Sequence, residues 1–259
     1  MRTSLDETLN KNQLLSIYFT AGYPKLDDTG VILNSLAASG VDLVEIGMPY
    51  SDPVADGPTI QESNQLALEN GITISKLFEQ LDGIRSKIEI PIILMGYLNP
   101  IMQYGIERFC KQCQAIGIDG LIIPDLPLFE YEAEYKRTFD DYGLKNIFLI
   151  TPQTKEERIR QIDSISDSFI YMVSSSAITG AKGDIDKSQK EYFTRINGMD
   201  LKNPRLIGFG ISNTQTFAEA CEYSNGAIIG SAFIKMLSSS THLEKDIPLF
   251  VKEIRGAVK

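Results

Sequence analysis

The sequence predicts an α/β fold, a single (β/α)8 barrel spanning residues 1–259. Three observations lead there. Eight short apolar, β-branched runs recur along the chain with helix-compatible segments between them. Several of these runs are continuously apolar rather than alternating, as parallel strands buried on both faces must be. A unit of helix end, glycine stop and buried strand also repeats. Ala38-Ser39-Gly40-Val41-Asp42-Leu43-Val44-Glu45-Ile46-Gly47 resembles Ala115-Ile116-Gly117-Ile118-Asp119-Gly120-Leu121-Ile122-Ile123-Pro124, and 223–230 is a weaker third copy.

In order, the runs predict strands at 14–20, 43–46, 90–95, 120–124, 146–150, 169–173, 205–209 and 227–229. Helical patterns fall at 29–39, 74–87, 106–116, 130–142, 156–164 and 214–222. Eight βα units in a chain of 259 residues match the TIM barrel type. A doubly wound open sheet shares the alternation, but no Gly-x-Gly-x-x-Gly follows the first strand. No linker or low-complexity segment interrupts the pattern.

Composition narrows the function. A net charge of −9 argues against nucleic acid or an anionic membrane as the main partner. No run of 18 apolar residues predicts a membrane span, and the first residues lack an apolar signal region, so a cytoplasmic protein is expected. Cys110 and Cys113 have the spacing of a redox or zinc pair. They lie inside a helical pattern with no second pair and one histidine in the chain, His242, so helix packing is the reading and no metal site is expected.

Chemistry in such a barrel belongs at the C-terminal ends of the strands. The second run delivers Glu45 into a Gly/Pro-rich loop that carries Asp52 and Asp56. If Val44 and Ile46 pack outward, Glu45 points to the interior, where a carboxylate is costly unless it works or is paired with a Lys or Arg. Desolvation would favour its neutral form and suit it to proton transfer near neutral pH. Asp56, expected to have more solvent access, would stay ionised more readily and accept a hydrogen bond from an N–H that becomes positive. The late half of the chain contributes glycines and hydroxyls at 177–180, 208–212 and 230–231. These are either ordinary turns or, converging, a phosphate cradle with a short helix opening at Ser231. The segment 179–183 lacks the Gly-Lys-Ser/Thr ending of a nucleotide-binding loop.

Residues 44–61 read Val-Glu-Ile-Gly-Met-Pro-Tyr-Ser-Asp-Pro-Val-Ala-Asp-Gly-Pro-Thr-Ile-Gln. They match, nearly position by position, the signature Glu-Leu-Gly-x-Pro-Phe-Ser-Asp-Pro-x-Ala-Asp-Gly-Pro-x-Ile-Gln of the tryptophan synthase α-subunit family. Phe19-Thr20-Ala21-Gly22-Tyr23-Pro24, Met95-Gly96-Tyr97-Leu98-Asn99-Pro100, Pro124-Asp125-Leu126-Pro127 and the three glycine segments follow in the family's order. The resemblance covers nearly the whole chain. It implies a lyase performing retro-aldol cleavage of indole-3-glycerol phosphate to indole and D-glyceraldehyde 3-phosphate, in L-tryptophan biosynthesis. By the same resemblance, Glu45 is the acid and base and Asp56 stabilises positive charge on the indole N–H. Tyr18 and Tyr171 line the indole site, and Gly180, Gly210, Gly230 and Ser231 form the phosphate cradle. Thr179 is the loop threonine that closes onto Asp56. The resemblance further implies a β-subunit partner, in an α2β2 complex, contacted by Pro49, Asp52, Pro53 and the 99–102 segment beginning at Asn99. Pyridoxal phosphate is expected in that partner, and no cofactor in this chain.

Two departures from the family pattern stand out. Ala177 replaces a common glycine, which is expected to alter loop closure, and Tyr50 replaces phenylalanine, which is expected to matter little. The polar stretch 181–190 is expected to be mobile until substrate binds. Intact Glu45 and Asp56 weigh against a purely regulatory subunit that keeps the fold and activates its partner. The first signature does not fit a metal-diphosphate-binding prenyl- or thiamin-phosphate synthase barrel.

Overall fold

The computed structural model describes residues 4–174, 185–208 and 210–256. Parallel strands β1 (Leu14–Thr20), β2 (Leu43–Gly47), β3 (Ile92–Met95), β4 (Gly120–Ile122), β5 (Lys145–Ile150), β6 (Ile170–Val173), β7 (Arg205–Gly208) and β8 (Gly226–Ile229) pair in chain order. The barrel closes where β8 pairs with β1, Leu14 opposite Gly226 through Ile17 opposite Ile229. The expected (β/α)8 architecture is therefore present, with strand ends within two residues of expectation. The third and fourth strands are shorter than expected because Pro91 and Pro124 flank them and cannot donate to the ladder.

The sequence repeat has a structural basis at the feet of the strands. Asp42, just before β2, accepts the N–H of Leu15 in β1 at 2.9 Å. Asp119, before β4, accepts that of Ile92 in β3 at 2.8 Å, and Asn225, before β8, accepts that of Arg205 in β7 at 3.0 Å. Each returns its own N–H to the carbonyl of the same residue. A side-chain acceptor at this position thus extends the ladder by one bond and fixes register. Arg85 pairs with Asp119 and also donates to the carbonyls of Gly117 and Ile90. Arg255, from the last helix, does the same for Asp42 and the carbonyls of Gln13 and Gly40. Asp119→Ala would strand a largely buried guanidinium and the Ile92 N–H together. Breaking one side of such a pair costs about 3–5 kcal/mol, so the urea midpoint should fall sharply at unchanged slope. Asp119→Asn keeps the acceptor for Ile92 and should lose less; equal midpoints for the wild type and the alanine variant would refute the staple.

Helices cover the outside. Those at Asp28–Ala38, Ile74–Leu81, Ile106–Ile116, Glu156–Ile165 and Thr214–Tyr223 follow the expected patterns. The 74–87 pattern breaks at Gly83, whose φ of +67° ends the helix before a 3-10 turn, Ile84–Ser86. The 130–142 pattern is helical through a π turn at Tyr131–Tyr135. Helices at Leu5–Leu9, Pro58–Glu69, Leu98–Tyr104, Lys187–Asn197 and Leu243–Arg255 were not among the expected elements. The fourth corrects the expectation of a mobile 181–190 stretch from residue 187 onward. Asp186 caps that helix, accepting from the Gln189 N–H while Gln189 reciprocates. Residues 181–184 lie outside the described ones. Cys110 and Cys113 are free and buried against the barrel, with burial pushing both thiols up, Cys110 to about 12. They behave as core residues. Among the described residues no helix is long and apolar enough to cross a membrane.

Candidate active site

Register decides which side chains meet inside the barrel. Tyr18 lies opposite Glu45, Glu45 opposite Ile93, and Tyr171 between Leu149 and Leu206. Because side chains alternate faces, Ser16, Tyr18, Glu45, Ile93, Leu149, Tyr171 and Leu206 share the interior, while Val44 and Ile46 pack against the helices. The expected orientation of Glu45 is the observed one.

Glu45 is 0% exposed. The Ser16 hydroxyl donates to its Oε1 at 2.7 Å, and Oε2 has no hydrogen-bond partner among the described residues. No basic side chain pairs with Glu45 among the described residues, which removes the alternative of a structural ion pair. Burial pushes its carboxyl up to about 8, against the opposing pull of the Ser16 hydrogen bond. The group is therefore mostly protonated at neutral pH, with one oxygen held and the other available.

Asp56 sits where the β2 loop turns into the helix Pro58–Glu69. Its N–H bonds to the Pro53 carbonyl at 3.0 Å, and Gln61 Nε2 holds its own carbonyl at 2.9 Å. Here the sequence expectation needs correction. The carboxylate is buried rather than solvated, because the helix after the loop folds back over it and Tyr97 closes the other side. Burial raises its carboxyl to about 6, while hydrogen bonds from Tyr97 and Asn64 hold it down. The Tyr97 hydroxyl donates to Oδ2 at 3.1 Å. The expected ordering survives: Asp56 ionises more readily than Glu45 because it is somewhat less completely buried and has two donors rather than one.

Tyr18 and Tyr171 are buried, each leaning over a glycine of the neighbouring strand. A side chain at Gly47 would overlap the Tyr18 ring, and one at Gly208 would overlap that of Tyr171. These bare positions let two aromatic rings line the barrel mouth beside Glu45. Tyr18 also touches the late half of the chain, since a Cβ on Gly230 would lie 3.5 Å from its ring. Gly230 is the N-cap of the helix Ser231–Ser239, whose first-turn N–H groups have no side-chain cap. Such a terminus favours an anion. Gly210 turns at φ +83°, a conformation that favours glycine. The geometry thus brings Glu45, Asp56, Tyr18, Tyr171, Gly230 and Ser231 to the C-terminal mouth, with Gly210 in the loop after β7. Ala177, Thr179 and Gly180 lie outside the described residues.

The expected partner contacts lie on the rim. Asp52 and Asn99 are exposed, and Pro49 and Pro53 are half-buried. Three exposed apolar side chains follow β2, β3 and β4 on this face: Val54 (77%), Met102 (54%), which closes the expected 99–102 segment, and Phe129 (79%); sequence reasoning missed the first and the last. It assigned no role to Ser16, Asn64 or Tyr97, which hold the two carboxylates. The available signal was a hydroxyl two residues from Tyr18 in an otherwise apolar strand and a tyrosine closing the third strand.

A family model described as tryptophan synthase alpha chain matches residues 5–255. The tryptophan synthase alpha chain of Flavobacterium psychrophilum is 60% identical over 242 residues, covering 93% of this chain and 95% of that protein. That of Christiangramia forsetii is 58% identical over 245 residues, covering 95% of each. The solved tryptophan synthase alpha chain of Legionella pneumophila superposes with a TM-score of 0.86 at 31% identity, covering 97% of this chain and 95% of that one. A match of this extent, over a barrel whose mouth carries the signature carboxylates, decides the family: the chain belongs to the tryptophan synthase alpha chains.

Proposed function

We propose that Glu45 and Asp56 divide the work of the family's reaction, one moving protons and the other holding charge. As a member of this family the chain is a carbon–carbon lyase of tryptophan biosynthesis that cleaves indole-3-glycerol phosphate. On our reading, protonated Glu45 gives its proton to indole C3, and the positive charge of the resulting indoleninium falls on the ring N–H, which Asp56 accepts. The Glu45 carboxylate then takes the proton of the side-chain hydroxyl. The bond from C3 to the side chain breaks, its electron pair restores the aromatic ring, and the hydroxyl carbon leaves as the aldehyde of glyceraldehyde 3-phosphate. One proton enters and one departs, so the step balances. Tyr18 and Tyr171 would flank the indole ring, and Gly210, Gly230 and Ser231, with Gly180 and Thr179, would hold the phosphate end.

The observation that carries this assignment is Glu45 itself, a buried carboxyl with no counter-charge among the described residues and one unpartnered oxygen. Acid–base chemistry of this kind needs no cofactor in this chain, and pyridoxal phosphate is assigned to the β partner. The family implies that partner. We place its contact on the rim of Pro49, Asp52, Pro53 and Asn99, extended by Val54, Met102 and Phe129, and propose an α2β2 assembly in the cytoplasm. The whole chain acts as one barrel domain on this reading.

The test is indole release from indole-3-glycerol phosphate by the purified chain, with and without a β subunit, across pH. Below about 6 Asp56 becomes protonated and cannot support the positive N–H. Above about 8 Glu45 has lost the proton that C3 needs. The rate should therefore rise through the first value and fall through the second, a bell with acceleration by the partner. Absence of indole, or a rate still climbing well above pH 8, would overturn the assignment.

A further inference from the structure

We propose that Tyr97 is a positioning residue for Asp56, and that Tyr50 and Asn99 on the rim fix the Tyr97 ring in the orientation this requires. The inference rests on the charge-holding role assigned to Asp56 above.

Tyr97 closes the end of β3 and caps the helix Leu98–Tyr104. Its hydroxyl makes two bonds whose directions are forced. The N–H of Ala55, which can only donate, reaches the phenol oxygen at 3.0 Å. The phenol proton then points to Asp56 Oδ2 at 3.1 Å. Burial and the neighbouring Asp56 carboxylate push the Tyr97 phenol well above its ordinary range, so it remains a donor throughout the working pH. One hydroxyl therefore locks the loop backbone one residue before Asp56 and the Asp56 carboxylate at once. A carboxylate accepts such a bond more strongly than a neutral carboxyl, which favours the charged form.

The ring of Tyr97 is held in turn. It packs on Tyr50 with centroids 5.3 Å apart at 36°, and the Tyr50 hydroxyl accepts from Asn99 Nδ2 at 3.3 Å. Leu98, next to Tyr97, anchors its N–H on Asp125 Oδ1 at 2.9 Å. Tyr50 and Asn99 belong to the two rim segments assigned to the partner, so a continuous set of contacts runs from that face to the Asp56 carboxylate. Phenylalanine at position 50 could not make the bond to Asn99. The other groups around Asp56 are Tyr18 from β1, Tyr171 from β6 and Asn64 from the helix Pro58–Glu69; Asp125 faces Tyr97 from the β4 loop. Of these, Asn64 alone is a second donor to the carboxylate.

The experiment is the pH profile of kcat and KM for Tyr97→Phe, alone and with the β subunit, beside its thermal unfolding. Loss of a hydrogen bond to a charged group predicts a fall in kcat of about ten- to hundredfold at neutral pH, with KM little changed. The acid limb should move above about 6, because the donor that lowered the Asp56 carboxyl is gone. A merely structural role would lower kcat or the unfolding temperature without moving that limb, and an unmoved limb overturns the proposal. Tyr50→Phe should move the limb the same way by less; no movement there removes the rim from the path. Asp56→Asn measured in parallel separates the two levels. A wild-type rate for that variant would sink the function assigned to Asp56, whereas a severe loss with an unmoved Tyr97→Phe limb would sink the positioning role alone.

Discussion

Glu45→Gln is expected to lower kcat by on the order of three orders of magnitude or more, because on the proposed mechanism one carboxyl serves both proton transfers and each is worth a large factor. The fold should survive. Glutamine has the same shape, and its amide oxygen can accept the Ser16 hydroxyl as Glu45 Oε1 does. A second measurement shows that burial, rather than a local clash, sets the proton affinity. The folded-state carboxyl lies above its unfolded value of 4.5, at about 8, so the unfolded chain releases its proton first. The associated stability is complete below about 4.5 and is lost as pH rises through about 8. Glutamine does not titrate. The unfolding temperature of the variant should therefore gain on that of the wild type as pH increases across this window, whatever constant offset the new amide adds. Retained turnover within tenfold of wild type removes Glu45 from the chemistry. Parallel unfolding curves at all pH values would mean that its proton affinity is ordinary.

Why Glu45 was legible in the sequence and Asp56 only half so is a matter of range. Strand alternation is local, and Val44-Glu45-Ile46 needs no distant contact to place a carboxyl inside a barrel of continuously apolar strands. The repeat at 38–47, 115–124 and 223–230 was visible for a similar reason. Its Asp42, Asp119 and Asn225 each bond to the preceding strand, so the chain carries Asp or Asn at each of these joints. The burial of Asp56 depends on a tyrosine 41 positions away and on a helix the pattern did not reveal. That helix, Pro58–Glu69, buries Ile60, Ser63, Asn64 and Ala67. A face of small and polar residues leaves no apolar stripe at helical spacing, because Ser63 is spent on the Thr20 hydroxyl and Asn64 on Asp56. The last helix was hidden differently: Ile247, Val251 and Ile254 are periodic, but Pro248 reads as a breaker and is tolerated within the second turn. Rim residues such as Phe129 have no periodicity to betray them. Their exposure is a property of the folded surface.

Asp56→Asn is the second large effect, expected at about a hundred- to thousandfold in kcat, the scale on which a preorganised group acts on charge that develops in the reaction. The substitution keeps shape and leaves an oxygen for the Tyr97 hydroxyl, so it removes charge with little else. What the indoleninium loses is a negative neighbour in a site shielded from water, where screening is weakest. The pH profile makes the attribution specific. With asparagine at position 56 nothing there titrates near 6, so the acid limb should vanish while the fall near 8, which belongs to Glu45, stays in place. If the acid limb persisted, it would have to arise elsewhere, and Asp56 would be a structural carboxylate held by Tyr97 and Asn64. If both limbs vanished together, the two carboxyls would titrate as a coupled pair, and neither value could be assigned to one residue. Loss of the lower limb alone, with a much slower rate on the plateau, is the outcome that the separate environments of these two groups require.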